Sequence, residues 1–233
     1  RRFIKINHIT FVMIHHLRDL WLVCPSVLGL AVELMGFCHM FLDKVNKKDF
    51  LHRWLYSRLK NVIALTEVQK RGLLKCLPLN SMQISVLPNG VDTNKFNPSK
   101  RSQALRQSLF SATENQIVVG VIGRLDPQKG QLEFLQSACL VIKKYPQVIF
   151  ALIGNPNSDG LAYLEELKSF SRHQGLIDSV RFIPHLEDVS GALASLDVFV
   201  LPSYQETFGN VVVEAMASGV PVIATAAGGL LQM

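Results

Sequence analysis

The stretch Val198-Phe-Val-Leu-Pro-Ser-Tyr-Gln-Glu206-Thr-Phe-Gly-Asn-Val-Val-Val-Glu214-Ala-Met-Ala-Ser-Gly-Val-Pro-Val-Ile-Ala224 carries the reading of the fold. It opens on a short apolar run, Val198–Leu201, and breaks at Pro202. A helical segment follows over 209–218, then a second β-branched run, Val220–Ala224. Strand, loop, helix and strand in that order predict a parallel α/β unit. Two carboxylates stand eight positions apart in it. Glu206 lies in the glycine-containing loop. Glu214 lies inside the helix among Val211, Val212, Val213, Ala215, Met216 and Ala217. An ionised carboxylate buried without a partner is costly, so Glu214 points to a polyol ligand or a basic side chain.

The same alternation extends upstream. The spacing predicts strands at Ile117–Ile122, Val148–Ile153 and Val180–Ile183, with helices over Gly130–Tyr145, Leu161–Gln174 and about 187–194. The first part of the chain predicts strands near 10–15, 31–38, 62–66 and 83–87, and helices near 18–23, 49–60 and 67–77. A polar, lysine-rich loop, read as mobile, lies between Met40 and Lys48. Strands apolar on both faces belong in sheets covered by helices on each side. Pro88-Asn-Gly-Val-Asp92 and Asn97-Pro98 favour turns over continued strand. They set the expected domains at 1–95 and 96–233, in an α/β fold.

Composition narrows the function classes. The chain has 233 residues, enough for one large or two small domains with a real core. Residues 1–100 carry 15 Lys and Arg against 6 Asp and Glu, whereas 101–233 carry 9 against 12. A basic half suits a phosphorylated ligand, an anionic membrane surface or simply solvent. No aromatic-interleaved basic stripe supports nucleic acid. The four cysteines, at 24, 38, 76 and 139, form no CxxC pair. That argues against a zinc site and suits a reducing cytosol. Arg18, Asp19 and Glu33 interrupt the apolar region from Ile9 to Leu42, leaving no run near the roughly 20 residues of a membrane span. The first residue is Arg1 and the last Met233, so both ends are read as cut and both domains as incomplete.

Ligands of open α/β sheets bind outside the carboxyl ends of the strands, so three loops matter. In Gly120-Val-Ile-Gly-Arg-Leu-Asp-Pro-Gln-Lys-Gly130, Gly123 admits a ligand to the backbone. Arg124 and Lys129 flank a helix start there, as a diphosphate clamp would. The spacing fits neither a Walker loop nor a dinucleotide GxGxxG, against an ATPase or a dehydrogenase. The glycine and small polar residues of Ile153-Gly-Asn-Pro-Asn-Ser-Asp-Gly160 suit the border of a nucleotide, but the loop reads first as a plain strand-to-helix connection. In the third loop the amides of Phe208 to Val211 would face a ligand with the positive end of the helix dipole. His39 ends an apolar strand; His15 and His16 follow another, and His52 reads as surface.

Gly-Arg-Leu-(x)3-Lys-Gly at 123–130, Pro-Ser-x-x-Glu-Thr-Phe-Gly-(x)4-Glu-Ala-Met-Ala at 202–217 and Gly-Val-Pro-Val-Ile-Ala-Thr at 219–225 together resemble the retaining glycosyltransferases of the GT-B fold, family 4. Pro88-Asn-Gly-Val-Asp92 is similar to that family's interdomain segment. The resemblance implies two Rossmann-like domains and sugar transfer from a UDP- or GDP-linked donor, with neither metal nor cofactor. It implies that Arg124 and Lys129 bind the donor diphosphate and that Glu214 holds the ribose. Glu206 would contact the donor sugar near the amides of Phe208, Gly209 and Asn210, and His39 the donor sugar or the acceptor. The acceptor is left open: a glycan, a lipid-linked sugar or a small molecule. A cytoplasmic location with peripheral contact at an anionic membrane face is the matching expectation. Departures also show. Gln232 stands about where the family carries a Glu near the nucleotide, and the acceptor loop would precede Arg1. The chain alone is expected to be inactive. An inactive nucleotide- or partner-binding protein of the same fold is the alternative.

Overall fold

The computed structural model describes residues 1–42, 46–157 and 160–233. The chain forms two units, residues 1–89 with 228–233, and residues 90–227. In the first, β1 (Phe11–Ile14), β2 (Glu33–Phe37), β3 (Leu59–Ala64) and β4 (Ile84–Val86) form a parallel sheet in that order. Its helices are α1 (Arg2–Ile6), α2 (Leu20–Val27), α3 (Phe50–Tyr56) and α4 (Glu67–Cys76). Capping fixes two helix starts. The Asp49 carboxylate accepts from the amides of Leu51 and His52, and the Thr66 hydroxyl accepts from Gln69; each cap satisfies amides that lack intrahelical partners. Leu20, Cys24, Leu55, Tyr56, Val62 and Leu73 form the core.

Three details differ from expectation. The helix expected to reach residue 60 stops at Tyr56, and the next strand begins at Leu59 instead of 62. Leu59 is buried there, and the Lys60 ammonium meets Glu33 of β2 at 2.6 Å. Across-strand packing therefore outweighs helical spacing. The helix near 18–23 is a 3-10 turn, Leu17–Asp19, continued by α2 through Pro25. The expected mobile loop between Met40 and Lys48 includes residues 43–45, and the 153–160 connection includes 158–159; both segments lie outside the described residues.

In the second unit the parallel sheet has the order β7-β6-β5-β8-β9, with β5 (Val118–Ile122), β6 (Ile149–Ile153), β7 (Val180–Ile183), β8 (Val198–Leu201) and β9 (Val222–Ala224). The helices are α5 (Gln103–Phe110), α6 (Gln131–Ile142), α7 (Leu161–His173), α8 (Ser190–Ala194) and α9 (Asn210–Ala217). Every residue of β6 is buried, as its unbroken apolar run requires of a covered parallel strand. The last strand begins at Val222 rather than 220. Pro221 has no amide to donate, although its carbonyl accepts from Phe199. The chain runs outward from β5 to β7, then returns to add β8 and β9 on the other side. This reversal opens a crevice at the carboxyl ends of β5 and β8, where such sheets take their ligands.

Helix α5 has no counterpart in the sequence reading. A buried arginine anchors it. Arg106, 2% exposed, donates to the Ser195 carbonyl at 2.7 Å and to Asp197 at 2.9 Å. The units also divide differently from the expected 1–95 and 96–233. The break falls after Asn89, and residues 228–233 join the first unit. There the 3-10 turn Gly228–Gln232 packs on α4, with Leu230 buried and Gln232 Oε1 accepting from the Glu67 amide at 2.8 Å.

Candidate active site

The loop after β5 is held from within. Asp126 caps the turn Pro127–Lys129 by accepting from the Gln128 amide. The side chain of Gln131, 1% exposed, donates to the Arg124 carbonyl at 2.8 Å. Gly130 then turns with φ +71°, and a Cβ on it would lie 2.1 Å from the Pro202 carbonyl oxygen. Only glycine permits both that conformation and that approach. The loops after β5 and β8 are therefore pressed together, and the Tyr204 amide donates across to the Gln128 carbonyl at 2.9 Å.

The loop after β8 supplies the acid. Ser203 is fully buried; its hydroxyl donates to Glu206 Oε1 at 2.9 Å, and its carbonyl accepts from the Thr225 hydroxyl at 2.5 Å. The Lys129 ammonium reaches the same Glu206 oxygen at 2.5 Å. The Tyr204 hydroxyl donates to Glu133 on α6 at 2.6 Å. Gly209, at φ +86°, swings the chain into α9, and its carbonyl accepts from the Val212 amide at 2.9 Å.

These elements enclose a cleft of about 270 Å³. Gly123, Arg124, Lys129, Glu206, Gly209, Asn210 and Glu214 all line it. Phe208 does not; its ring is 7% exposed and belongs to the core. Arg124 is half-exposed and lies 3.1 Å from Asp126. The Glu214 carbonyl accepts from the Ser218 hydroxyl at 2.8 Å, but its carboxylate makes no hydrogen bond or ion pair among the described residues. Burial pushes its carboxyl above the ordinary range, against the opposing pull of Lys95. The cleft thus offers two cations and helix-terminal amides to an anion, and carboxylates to hydroxyl groups. Among the described residues no three His, Cys, Asp or Glu are gathered as a metal site.

His39 belongs to the first unit, on a separate cleft with His15 and His16. His15 Nδ1 and His39 Nε2 are 2.8 Å apart, and both rings stack on Phe37. Desolvation lowers the His39 pKa, and neighbouring His15 and His16 add to the effect. His52 pairs with Asp49. Gln232 is engaged at the start of α4. Sequence reasoning missed Ser203, Gln131 and Tyr204 as supports. The only signal for them was their place beside Glu206 and Gly130, since their partners lie elsewhere in the chain.

Two family models match the chain, one on each side of residues 96–115. The family description "Glycosyltransferase Family 4" matches residues 1–95, and "Glycosyl transferases group 1" matches residues 116–233. A D-inositol 3-phosphate glycosyltransferase of Actinosynnema mirum is 32% identical over 177 residues, covering 72% of the chain and 42% of that relative. Its counterpart in Corynebacterium kroppenstedtii is 32% identical over 222 residues, covering 92% and 49%. The chain therefore spans less than half the length of these curated relatives. Among solved structures, Anabaena HepE in complex with UDP and glucose is similar, with TM-score 0.78, 25% identity, and coverage of 96% of the chain and 61% of HepE. A glycosyltransferase from Rickettsia africae shares the fold at TM-score 0.87 and 18% identity, with coverage of 99% and 61%. The α/β, GT-B-type fold class expected from the sequence is borne out. The chain belongs to the group 1, family 4 glycosyltransferases.

Proposed function

We propose that the protein transfers a sugar from a nucleotide-sugar donor to an acceptor with retention of anomeric configuration and without a metal ion. One observation carries this reading: Arg124, Lys129, Glu206, Glu214 and the start of α9 share a single cleft at the sheet's reversal point. In it, Arg124, Lys129 and the amides of Gly209 and Asn210 would hold the diphosphate and stabilise the charge of the departing nucleotide. Glu214 would accept from the ribose hydroxyls and Glu206 from the sugar. Same-face attack within a loose ion pair then asks the protein for charge stabilisation and placement of the acceptor.

The two relatives above are D-inositol 3-phosphate glycosyltransferases, so a phosphorylated polyol is the first acceptor class to test. The four free cysteines, three of them buried, fit the reducing cytoplasm in which we place the activity. Among the described residues no helix is long and apolar enough to cross a membrane; any membrane contact would be peripheral.

The test is transfer from labelled UDP- and GDP-sugars by the full-length protein in EDTA, with the product anomer read by NMR. Retained configuration, and loss of turnover in Arg124→Ala, bear the reading out. An inverted product, or turnover that needs added divalent metal, contradicts it. Nucleotide binding without transfer to any acceptor would favour the inactive binding-protein alternative.

A further inference from the structure

The first unit carries a pocket of about 400 Å³ that shares no residue with either cleft described above. Its floor is apolar: Leu77 and Leu79 are 1% and 9% exposed, with Pro78 between them. Lys48, Arg53, Asn80 and Gln83 complete the lining. The segment 77–83 leads from α4 into β4, and the Gln83 side chain donates to the carbonyl of Leu59, the first residue of β3, at 3.4 Å. The pocket therefore stands at the amino ends of β3 and β4, opposite the edge at which such sheets take their substrates.

The polar side-chain groups left open here are donors. Lys48 Nζ donates to the Leu74 carbonyl at 3.2 Å, which offsets the negative end of α4 and leaves its other N–H groups. Arg53 Nε donates to the Lys48 carbonyl at 2.9 Å, so the guanidinium is oriented while its terminal nitrogens make no hydrogen bond among the described residues. Asn80 and Gln83 spend their carbonyl oxygens on each other's backbone amides, at 3.0 and 3.1 Å, leaving the Asn80 amide nitrogen. Neither cation has a carboxylate partner among the described residues. Asp49, which lies between them in the chain, accepts from the Leu51 and His52 amides and pairs with the His52 ring. Donors on three side chains call for an anion with at least three acceptor oxygens, which a phosphate ester has and a carboxylate lacks. The buried leucines call for an apolar body on the same ligand. Phe50 and Met82, within two residues of lining positions, are 85% and 93% exposed and open to such a body.

We propose that this pocket binds a phosphate monoester with an apolar body, Arg53 and Lys48 holding the phosphate and Leu77 and Leu79 the body. A soluble ester and a phospholipid headgroup share that chemistry. The binding does not rest on the glycosyltransferase reading, since none of these residues lines the donor cleft.

The experiment is a titration of the 233-residue chain, carrying labelled leucine and methionine methyl groups, with phenyl phosphate, inorganic phosphate and sodium chloride of equal ionic strength. Phenyl phosphate should shift the Leu77 and Leu79 signals saturably and bind at least about fivefold tighter than inorganic phosphate, through burial of its ring. Lys48→Gln/Arg53→Gln should weaken binding at least about tenfold, the loss of two charge-assisted contacts. Arg53→Gln alone, which leaves Lys48 on α4, should keep most of that loss with near-UV circular dichroism unchanged. Phosphatidate–phosphatidylcholine vesicles assign the source: pelleting that Arg53→Gln abolishes marks a lipid headgroup, and no pelleting beside saturable phenyl phosphate shifts marks a soluble ester. Shifts no larger than those from chloride together with no Arg53-dependent pelleting would overturn the proposal. So would equal phenyl phosphate affinity in Arg53→Gln, or inorganic phosphate binding as tightly as phenyl phosphate.

Discussion

The Lys129 ammonium and the Glu206 carboxylate lie 2.5 Å apart, on loops that leave two neighbouring strands, and the Ser203 hydroxyl reaches the same carboxylate oxygen. Read from the sequence, the two residues have separate tasks, one on the phosphates and one on the sugar. In the folded chain each is the other's partner. Removing either leaves a partly buried charge behind, so their effects on stability should not add. A double-mutant cycle of Lys129→Ala and Glu206→Ala by urea unfolding should give a coupling of about 1–3 kcal/mol. Additive single effects would show that the pair contributes nothing to the fold.

Gly130→Ala tests the contact between the same loops. The new Cβ would sit 2.1 Å from the Pro202 carbonyl oxygen in a left-handed conformation. Overpacking and backbone strain should together cost at least about 2 kcal/mol. Nucleotide binding should fall as well, because Lys129 precedes the glycine directly. An unfolding midpoint equal to that of the parent chain would show that the loops are not held as described.

Asp197 should carry the acid sensitivity of the second unit. Burial alone would raise its carboxyl, but hydrogen bonds from the Val118 amide, Arg101 and Arg106 outweigh it and hold the pKa below the ordinary value. A depressed carboxyl contributes stability that is present above the unfolded pKa, about 4, and is lost as pH falls through the folded one. The melting temperature should thus drop more steeply below about pH 4 in the parent chain than in Asp197→Asn. At neutral pH Asp197→Ala should lose about 3–5 kcal/mol, since it strands buried Arg106. Parallel pH profiles would contradict this.

Glu214 has the opposite sign. Its raised carboxyl means that the folded chain holds the proton more tightly than the unfolded one, so its contribution to stability falls as pH rises above the ordinary carboxylate range. Glu214→Gln should melt higher than the parent chain at pH 7 and yet bind nucleotide more weakly. Unchanged or tighter nucleotide binding would remove Glu214 from the ligand site, and a lower melting point would contradict the cost of burying its charge. Differential scanning fluorimetry and a nucleotide titration on one preparation decide it.

The alternating strands and helices of both sheets were legible because parallel α/β architecture writes its periodicity locally. Glu214 was legible for a related reason: a carboxylate between Val213 and Ala215 conflicts with its own helix. The start of β3 at Leu59 was not, since it depends on Glu33 across the sheet. Helix α5 escaped because its anchor is Arg106, whose partner Asp197 lies 91 residues away. The Ser203 and Gln131 supports were hidden likewise, as a buried polar side chain gives no signal until its acceptor is in place. Phe208 was read for its amide alone; that its ring is buried in the core gave no local signal.

Calorimetric titration of the chain with UDP and with GDP in EDTA tests the central claim most directly, because it asks only whether the cleft between the β5 and β8 loops holds a nucleoside diphosphate. One of the two should bind with one site per chain, and Arg124→Ala should weaken that binding at least about tenfold through loss of a charge-assisted contact. No heat with either nucleotide, or equal affinity in Arg124→Ala, would contradict it.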